Sequence, residues 1–223
     1  MNLGRRQLLG AFAGSAASAL FPRSAAQAIA TSPIQIPDAS GIGIAKPWSL
    51  QPGVETGPAL LNRALVALQE HNSRIAAHDV IGIVDFSAPS KEARFTIYDV
   101  VAGKVVSTHL VAHGRGSDPA NSGWVEKLSN RPGSNASCSG SFLTSDIYHG
   151  KHGRSRRLIG LDTDNNLALE RGIVIHAASY VGEGIVQAQG RVGRSQGCFA
   201  VSDEDILPVL THLGPGRLLF AAR

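Results

Sequence analysis

The sequence predicts a mainly β fold with a few helices, and three observations support this. Short apolar and β-branched runs with a period of two recur from about residue 80 to the end of the chain. Clusters of Gly, Pro, Asn and Ser separate these runs, as turns do. The chain has 223 residues, 43% of them apolar and 25 of them glycine, so it is long enough for one loop-rich domain with a real core.

The first 28 residues have the three regions of an export signal. Arg5 and Arg6 form a basic start, an alanine- and glycine-rich apolar run covers residues 8–21, and residues 26–28 form a small-residue cleavage site. Residues 4–9 resemble the twin-arginine signal, and a general secretory signal is the alternative. We therefore predict a signal peptide over 1–28 and a periplasmic or otherwise exported protein of the cell envelope, with no integral membrane segment after cleavage.

The basic character of the chain lies largely in this leader. The formal net charge is +4, but the leader holds three arginines and no acid, which leaves 18 basic and 17 acidic residues in the remainder. A nearly neutral mature chain is not typical of a protein that binds nucleic acid. We therefore expect no nucleic-acid partner.

A linker and a helix follow the leader. Residues 29–55 carry four prolines with glycines and no sustained period, which predicts a Pro/Gly-rich linker. Gly57-Pro58 then opens a segment whose leucines recur at helical spacing, and proline suits the first turn of a helix. We therefore place one domain over 56–223, with a helix at its N-terminal end that packs on the domain surface or covers one end of a sheet.

Three strands are expected next. Residues 80–86, 93–100 and 105–113 have strand patterns, and Ala102-Gly103 turns the second into the third as a hairpin. His109 and His113 would share a face of the third strand, a spacing at which metal ligation is conceivable. Because no Cys or acidic cluster completes a ligand set, we predict that His109 and His113 are surface or hydrogen-bonded histidines.

The middle of the chain is polar and then basic. Residues 114–140 predict a long loop, which in a compact domain is usually functional or disordered. Residues 142–144 predict a strand, and residues 148–157 form the most basic local patch of the mature chain. This patch is either a solvated loop or a surface that binds an anionic wall polymer or a substrate carboxylate.

The C-terminal third alternates strands with short connections. Residues 158–161 and 173–176 predict buried strands, and residues 184–190 predict a connecting segment. Ser202-Asp203-Glu204-Asp205 is a capping-box start for a short helix, and residues 217–220 predict a last strand after a Gly-Pro-Gly turn.

A cysteine and a histidine in this third are candidates for nucleophilic catalysis. A cysteine nucleophile needs its thiolate, and His176 at the end of a buried strand could take the proton from Cys198. Gly197 allows close backbone approach, so the N–H groups of Gly197 and Cys198 could form an oxyanion hole. Ser195 could bond the cysteine neighbourhood or the substrate, and a backbone carbonyl could orient His176.

The two cysteines also allow a different interpretation. A disulfide between Cys138 and Cys198 is plausible in an exported chain and would make Cys198 structural, or redox-gated if the bond is reversible. In that case the protein would be a non-catalytic wall-binding module whose basic patch holds glycan or peptide.

Several ordered motifs resemble one family, the murein L,D-transpeptidase (YkuD-type) catalytic domain, in its exported branch. The resemblance runs from about Ile83 to Phe220. The motifs are Val84-Asp85-Phe86-Ser87-x-Pro89-Ser90, His113-Gly114-x-Gly116-Ser117, Gly133-Ser134-x3-Cys138-Ser139-Gly140, Tyr148-x-Gly150-x-His152-Gly153-x-Ser155, Val174-Ile175-His176 and Gly193-Arg194-Ser195-Gln196-Gly197-Cys198.

The resemblance implies a β-sandwich or barrel-like catalytic domain, with Cys198 as the nucleophile and His176 as the base. Gln196 departs from the family's His before Gly-Cys, and Phe199-Ala200 departs from the pair that often follows the cysteine. The substrate carboxylate must then be held from elsewhere. The candidate substrate-binding residues are Arg194, Arg191, Arg157, Gln196, Tyr148 and His152.

The reaction implied by the resemblance is peptidoglycan transpeptidation. Cys198 would attack the third residue's carbonyl in a tetrapeptide stem, release the terminal D-alanine, and pass the acyl group to another stem as a 3→3 cross-link. Transfer to water would make the protein an L,D-carboxypeptidase, and transfer to a protein or other amine would make it a wall-attachment enzyme. The expected partners are peptidoglycan stem peptides, and the resemblance implies that no metal or organic cofactor is required.

Overall fold

A computed structural model describes residues 57–223 of the chain, so the predicted signal peptide (1–28) and linker (29–55) lie outside the described residues. The described part forms three helices and eight strands. The helices are α1 (Pro58–Glu70), α2 (Glu183–Gln189) and α3 (Ile206–His212); the strands are β1 (Val80–Asp85), β2 (Phe95–Asp99), β3 (Lys104–His109), β4 (Gly140–Gly150), β5 (Gly153–Gly160), β6 (Val174–Ala177), β7 (Phe199–Val201) and β8 (Leu218–Ala222). Within residues 57–223, every helix is too short or too polar to cross a bilayer.

The eight strands form one mixed sheet in the order β3-β2-β1-β8-β4-β5-β6-β7. The β1–β8 and β6–β7 pairs are parallel and the other pairs are antiparallel. Beyond β3 the chain reaches the opposite edge of the sheet, where the N–H of Ala112 donates to the carbonyl of Ala200 in β7 at 2.9 Å. The sheet therefore curls until its two ends meet, which agrees with the mainly β, barrel-like fold expected.

The main core fills the concave side of this curled sheet. Phe199 of β7 stacks on Phe86 with ring centroids 6.0 Å apart, and meets Phe142 of β4 edge-on at 5.3 Å. Val209, Leu210 and Leu213 of the α3 segment close the same cluster. These aromatic contacts therefore tie the edge strand β7 across the core to β4 and to the end of β1.

The N-terminal helix forms as predicted and covers the other side of the sheet. Pro58 lies in its first turn. Its buried residues pack against β1 and β8 in a second cluster with Ile81, Ile83 and Phe220; they are Leu60, Leu61, Ala64, Ala67 and Leu68. Apolar burial of this size is what holds a short helix on a sheet.

Three local predictions are wrong. The third strand ends at His109, so His109 and His113 do not share a face: His109 bonds Asp205 and Ser107, whereas His113 lies in a buried network described below. Of the two interpretations of the basic patch 148–157, the solvated loop is wrong, because β4 and β5 pair up to Gly150 and Gly153 as a β-hairpin, and the binding surface stays a prediction. Residues 183–189 form a helix, α2, which a left-handed Gly190 terminates.

The predicted capping box forms only in part: α3 begins at Ile206 with Asp205 as its N-cap and no side-chain cap bond, and Ser202 closes the turn before it. The Ser202 hydroxyl accepts the N–H of Asp205 at 3.1 Å and donates to the Asp205 carboxylate at 2.8 Å. The same carboxylate meets the imidazole of His109 at 2.8 Å, which ties α3 to the end of β3.

Candidate active site

A cavity of about 710 Å³ opens at the end of the sheet where β6 and β7 lie side by side. Its walls come from the segment after β3, the turn between β4 and β5, the start of β6 and the loop before β7. The predicted site residues that line it are Cys198, His176, Ser195, Arg194, Gln196, Tyr148 and His152. Residues far apart in the sequence therefore converge on one cavity.

The strand register places Cys198 and His176 on one face. In the parallel β6–β7 pair, Ile175 lies opposite Phe199 and His176 lies opposite Ala200. Ile175 and Phe199 point into the main core, so their neighbours His176 and Cys198 point to the other face, two positions apart on adjacent strands. The half-buried thiol and the buried imidazole therefore share one wall of the cavity.

Hydrogen bonding fixes the tautomer of His176. Its Nδ1 lies 2.8 Å from the carbonyl oxygen of Ala177, and because a carbonyl can only accept, Nδ1 carries the proton. Nε2 then has a free lone pair. Burial lowers the pKa of His176, and the neighbouring His152 and Lys151 lower it further, against the opposite influence of the Ala177 carbonyl. The ring is therefore a neutral proton acceptor at neutral pH, and the predicted carbonyl partner is found.

A second imidazole covers His176. The ring of His152, from the turn between β4 and β5, stacks on it with centroids 4.3 Å apart and an interplanar angle of 26°. His152 itself is exposed. It therefore lies between the ring of His176 and solvent.

The Cys198 thiol is kept protonated at rest. Burial raises the pKa of the Cys198 thiol, while the backbone N–H of Val174 and the charges of Arg171 and Lys151 act in the opposite direction. Sγ lies 3.5 Å from the carbonyl of Gly172, to which the S–H donates. A neutral thiol beside a neutral imidazole needs the imidazole to take its proton before it can attack.

The loop before β7 is held by the Ser195 hydroxyl. It donates to the carbonyl of Cys198 at 2.8 Å and accepts the N–H of Gly197 at 3.1 Å. We expected the Gly197 N–H to point at a reacting carbonyl; that expectation is wrong, because this N–H already has an acceptor within the loop. The N–H of Cys198 stays the candidate donor for an oxyanion.

Gly197 is nevertheless required where it stands. Its φ is +118°, and a Cβ there would lie 2.7 Å from the carbonyl oxygen of Ala136 and 2.8 Å from Ile173 Cδ1. Only glycine lets the cysteine loop pack this closely against its neighbours.

Two serines tie the same loop to the segment after β3. The Ser137 hydroxyl accepts the N–H of Gly114 at 3.0 Å and donates to the carbonyl of Gly197 at 3.3 Å. The N–H of Ser137 in turn donates to the Ser117 hydroxyl at 3.0 Å. The motifs around residues 113–117 and 133–140 therefore act as supports for the cysteine loop.

A buried charged network lies behind these supports. Arg94 Nη2 donates to His113 Nδ1 at 2.8 Å, and His113 Nε2 donates to the Asp118 carboxylate at 3.2 Å. Burial and the nearby Arg94 lower the pKa of His113 to about 4, against the opposing effect of Asp118. Arg194 donates to the carbonyl of Asp118, and the N–H of Ser195 donates to the carbonyl of His113 at 2.9 Å. A neutral His113 therefore anchors the loop that carries the cysteine.

Not every predicted binding residue reaches the cavity. Arg157 stacks on Tyr148, with Cζ 4.2 Å from the ring centroid, but does not line the cavity itself. Arg191 donates to the carbonyl of Gln189 and also lies outside the lining. Arg157 lies opposite Val174 and against Tyr148, and Arg191 follows the end of α2, so neither contacts the cavity directly and a binding role for either stays a prediction.

Cys138 is buried beside the site with a free thiol. It is 1% exposed, and burial raises its pKa to about 11 despite the nearby Arg171. Cys198 is free as well in this structure. Cys138 therefore contributes to the packed wall behind the cavity, next to the residues that support Gly197.

Among the lining residues that sequence reasoning missed are three cationic side chains and a tyrosine: Arg115, Lys151, Arg171 and Tyr180. Arg115 and Lys151 occupy unspecified positions inside two of the motifs, His113-Gly114-x-Gly116 and Gly150-x-His152. A charged residue between two glycines, or between a glycine and a candidate site histidine, was the available signal. Arg171 donates to the carbonyls of Ser129 and Ala136, and burial together with Cys198 raises the pKa of Tyr180 to about 12.

The site has the composition of an acyl-transfer site. Across residues 57–223 no group of three or more His, Cys, Asp or Glu side chains is arranged to hold a metal ion. What the cavity offers is a thiol, a proton acceptor of fixed tautomer, a backbone donor at the cysteine and several cationic side chains. These parts suit nucleophilic attack on a carbonyl of an anionic substrate.

Comparison with known proteins gives a family match. A family model described as the L,D-transpeptidase catalytic domain matches residues 54–222. No curated protein matches the chain.

Solved structures similar to this chain share little sequence with it. An L,D-transpeptidase from Mycobacterium smegmatis is 14% identical with a TM-score of 0.40 over 65% of this chain and 59% of that one. L,D-transpeptidase 3 from Mycobacterium tuberculosis, in complex with a faropenem-derived adduct, is 14% identical with a TM-score of 0.42 over 65% and 60%. The helical cell shape determining protein Pgp2 from Campylobacter jejuni is 10% identical with a TM-score of 0.43 over 72% and 54%. The chain thus spans less than two thirds of the length of each.

Proposed function

This chain belongs to the family of L,D-transpeptidase catalytic domains, and from that premise we propose that it is an exported peptidoglycan L,D-transpeptidase with Cys198 as nucleophile and His176 as general base. The family supports a peptidoglycan-modifying acyltransferase. We propose three points beyond the family match: the roles of the residues, the reaction on stem peptides and the periplasmic location.

One observation carries the assignment of roles. His176 presents an unprotonated Nε2 because its Nδ1–H is held by the Ala177 carbonyl, and it lines the same cavity as the Cys198 thiol. The pKa of the imidazole is lowered and that of the thiol is raised, so both groups are neutral at rest. A proton must then move from sulfur to nitrogen as the thiol attacks, which is general-base activation of a nucleophile.

The reaction follows in two steps. Sγ of Cys198 adds to the carbonyl carbon of the third stem residue as His176 takes the thiol proton, and the N–H of Cys198 donates to the developing oxyanion. His176 then gives the proton to the departing nitrogen of D-alanine, which leaves a thioester. In the second step His176 removes a proton from an incoming amine, the amine attacks the thioester, and the thiol is re-formed with that proton.

The deciding experiment incubates reduced mature protein with tetrapeptide-stem muropeptides and analyses the products by mass spectrometry. We expect a dimer with the mass of two stems minus one D-alanine. Cys198→Ala should abolish the thioester adduct and the dimer, and His176→Ala should slow acylation by about a thousandfold, as loss of a general base does.

His149→Ala is the matched control for the histidine variant, because His149 is exposed on the β4–β5 hairpin and does not line the cavity. Tripeptide stems without dimers would indicate transfer to water, and incorporation of an added amine would indicate a wall-attachment enzyme. An adduct that persists in Cys198→Ala would refute the assignment of the nucleophile.

A further inference from the structure

The cavity concentrates the positive charge of the described chain. Four cationic side chains line it, Arg115, Lys151, Arg171 and Arg194, against the single carboxylate of Glu170. Residues 57–223 contain 17 Lys and Arg and 15 Asp and Glu, a net charge of +2. The lining alone carries a net charge of +3, so the remaining described residues together are slightly acidic. The positive potential is therefore local to the cavity and is not a property of the whole surface.

Two of these cationic side chains donate hydrogen bonds to backbone carbonyls of the protein itself. Arg171 donates to the carbonyls of Ser129 and Ala136, and Arg194 donates to the carbonyl of Asp118. Both hold loops around the cysteine, and the charge of Arg171 also favours the thiolate of Cys198. Their roles are explained by the scaffold and the nucleophile.

The other two cations are not engaged. Arg115 and Lys151 are exposed. Among residues 57–223 no hydrogen bond or ion pair involves either side chain, and Glu170 takes part in none of the ion pairs found there. Arg115 comes from the segment after β3 and Lys151 from the turn between β4 and β5, so the cavity receives an unpaired cation from each of two different elements.

We propose that the cavity prefers, as acyl donors, stem peptides whose non-terminal carboxyl groups are free carboxylates and not carboxamides. Arg115 and Lys151 are the residues that impose this preference. The inference rests on the proposed function and names the substrate class of the same site. A free carboxylate can accept charge-assisted hydrogen bonds from both side chains, whereas a carboxamide is neutral and offers one weaker acceptor.

The test compares two acyl donors. One is L-Ala-γ-D-Glu-meso-diaminopimelate-D-Ala, and the other is the same tetrapeptide with the α-carboxyl of D-Glu and the distal carboxyl of diaminopimelate as carboxamides. Both keep the terminal carboxylate. We expect kcat/KM for acylation of Cys198 to favour the free peptide by about tenfold or more, as charge-assisted contacts do.

The variants Arg115→Gln and Lys151→Gln isolate the two cations. Each should reduce the ratio of the two kcat/KM values by about threefold or more, because each removes one partner of a carboxylate. The ratio is the readout because Lys151 also acts on the pKa of Cys198 and His176, an influence common to both donors. Raising the salt concentration to roughly 0.5 M should shrink the wild-type ratio, since salt screens exposed charges.

Arg154→Gln is the matched control: it removes one exposed charge from the same hairpin outside the cavity and should leave the ratio unchanged. Equal kcat/KM values for the two donors, or a ratio that Arg154→Gln lowers as much as Lys151→Gln, would overturn the inference while leaving transpeptidation intact. Absence of an adduct with either donor would instead count against the proposed function.

Discussion

The imidazole of His176 lies between a backbone carbonyl and another imidazole. Ala177 holds its Nδ1–H, and His152 stacks on the ring at 4.3 Å. Gln196 stands where the wider family has a histidine, so the only imidazole that this cavity brings against His176, within the described residues, comes from the β4–β5 hairpin. We expect His152 to position the ring of His176 and to lower its pKa.

His152→Ala should move the acid limb of the pH profile. The pKa of His176 is lowered by burial first and by His152 and Lys151 next, so uncovering the ring and removing the influence of His152 both raise that pKa. A larger fraction of His176 is then protonated in mild acid and cannot take the thiol proton. We expect kcat/KM at pH 5.5 relative to pH 7.5 to fall by roughly threefold.

His149→Ala serves again as the control and should keep the wild-type profile. A His152→Ala enzyme that loses activity by the same factor at every pH would show that the stack only supports the fold of the hairpin.

At the scale of elements, the cysteine loop and the 134–140 segment are packed backbone against backbone. Ser137 bonds both Gly114 and Gly197, and Ala136 approaches Gly197 so closely that no side chain fits between them. The position of the thiol is therefore set by two loops at once, rather than by β7 alone.

Gly197→Ala should damage both stability and activity. The new methyl group has to adopt a φ of +118° and would lie 2.7 Å from a backbone oxygen, so the loop must shift. We expect a loss of unfolding free energy of about 2 kcal/mol or more and, because a displacement near 1 Å at a nucleophile costs about a hundredfold, a comparable drop in kcat. Urea unfolding and acylation kinetics measure the two effects.

The variant Gly190→Ala separates the cost of a positive φ from the cost of a close contact, the two effects that Gly197→Ala combines. Gly190 also has a positive φ, of +69°, but a methyl group there would meet no atom of another part of the chain within 4 Å, and the residue is outside the cavity. The variant should lose about 1 kcal/mol of unfolding free energy and keep its activity; equal effects of the two substitutions would contradict the role given to the close contact.

The elements that sequence reasoning missed share one cause. The hairpin of β4 and β5 carries basic residues that resemble a solvated loop, and only pairing of residues such as Tyr148 with Ser155 makes it a strand. Likewise α2 buries no residue fully, so it lacks the apolar period that identified α1. Local pattern predicted the elements that bury an apolar face and missed those stabilised by pairing or capping.

At the scale of the whole molecule, closure of the sheet assembles the site. The bonds from Ala112 to Ala200 and from Ser195 to His113 join the segment after β3 to both sides of the cysteine. The neutral His113, held between Arg94 and Asp118, lies at this junction.

His113 should make the fold sensitive to mild acid. Its folded pKa of about 4 lies below the ordinary 6.5, so the unfolded chain binds the proton first as pH falls. The contribution of His113 to the free energy of unfolding is constant above about pH 6.5. It decreases progressively down to pH 4, by about 3 kcal/mol at most. Urea unfolding from pH 7.5 to 4.5 should show a shallower decline in His113→Gln than in wild type, with His149→Gln as the control; parallel declines in all three would contradict the assignment.

The sequence could predict those parts of the site that depend on single residues and their place in a strand. Cys198, His176 and the carbonyl partner of His176 follow from residue chemistry and strand position. Three other features depend on which loops come together when the sheet closes. They are the hydrogen bond from the Gly197 N–H to Ser195, the stacking of His152 on His176 and the absence of a partner for Arg115 among the described residues. Those meetings are set by long-range pairing, which no local pattern contains.

The unequal accessibility of the two cysteines has a practical consequence. Cys138 is sealed inside the wall, whereas Cys198 faces the cavity. A small alkylating reagent applied to the folded protein would therefore label Cys198 alone, and denaturation would expose the second thiol as an internal standard. The ratio of thiols labelled before and after denaturation therefore gives the fraction of a preparation in which the thiol of Cys198 is reduced and accessible, and this measurement needs no substrate.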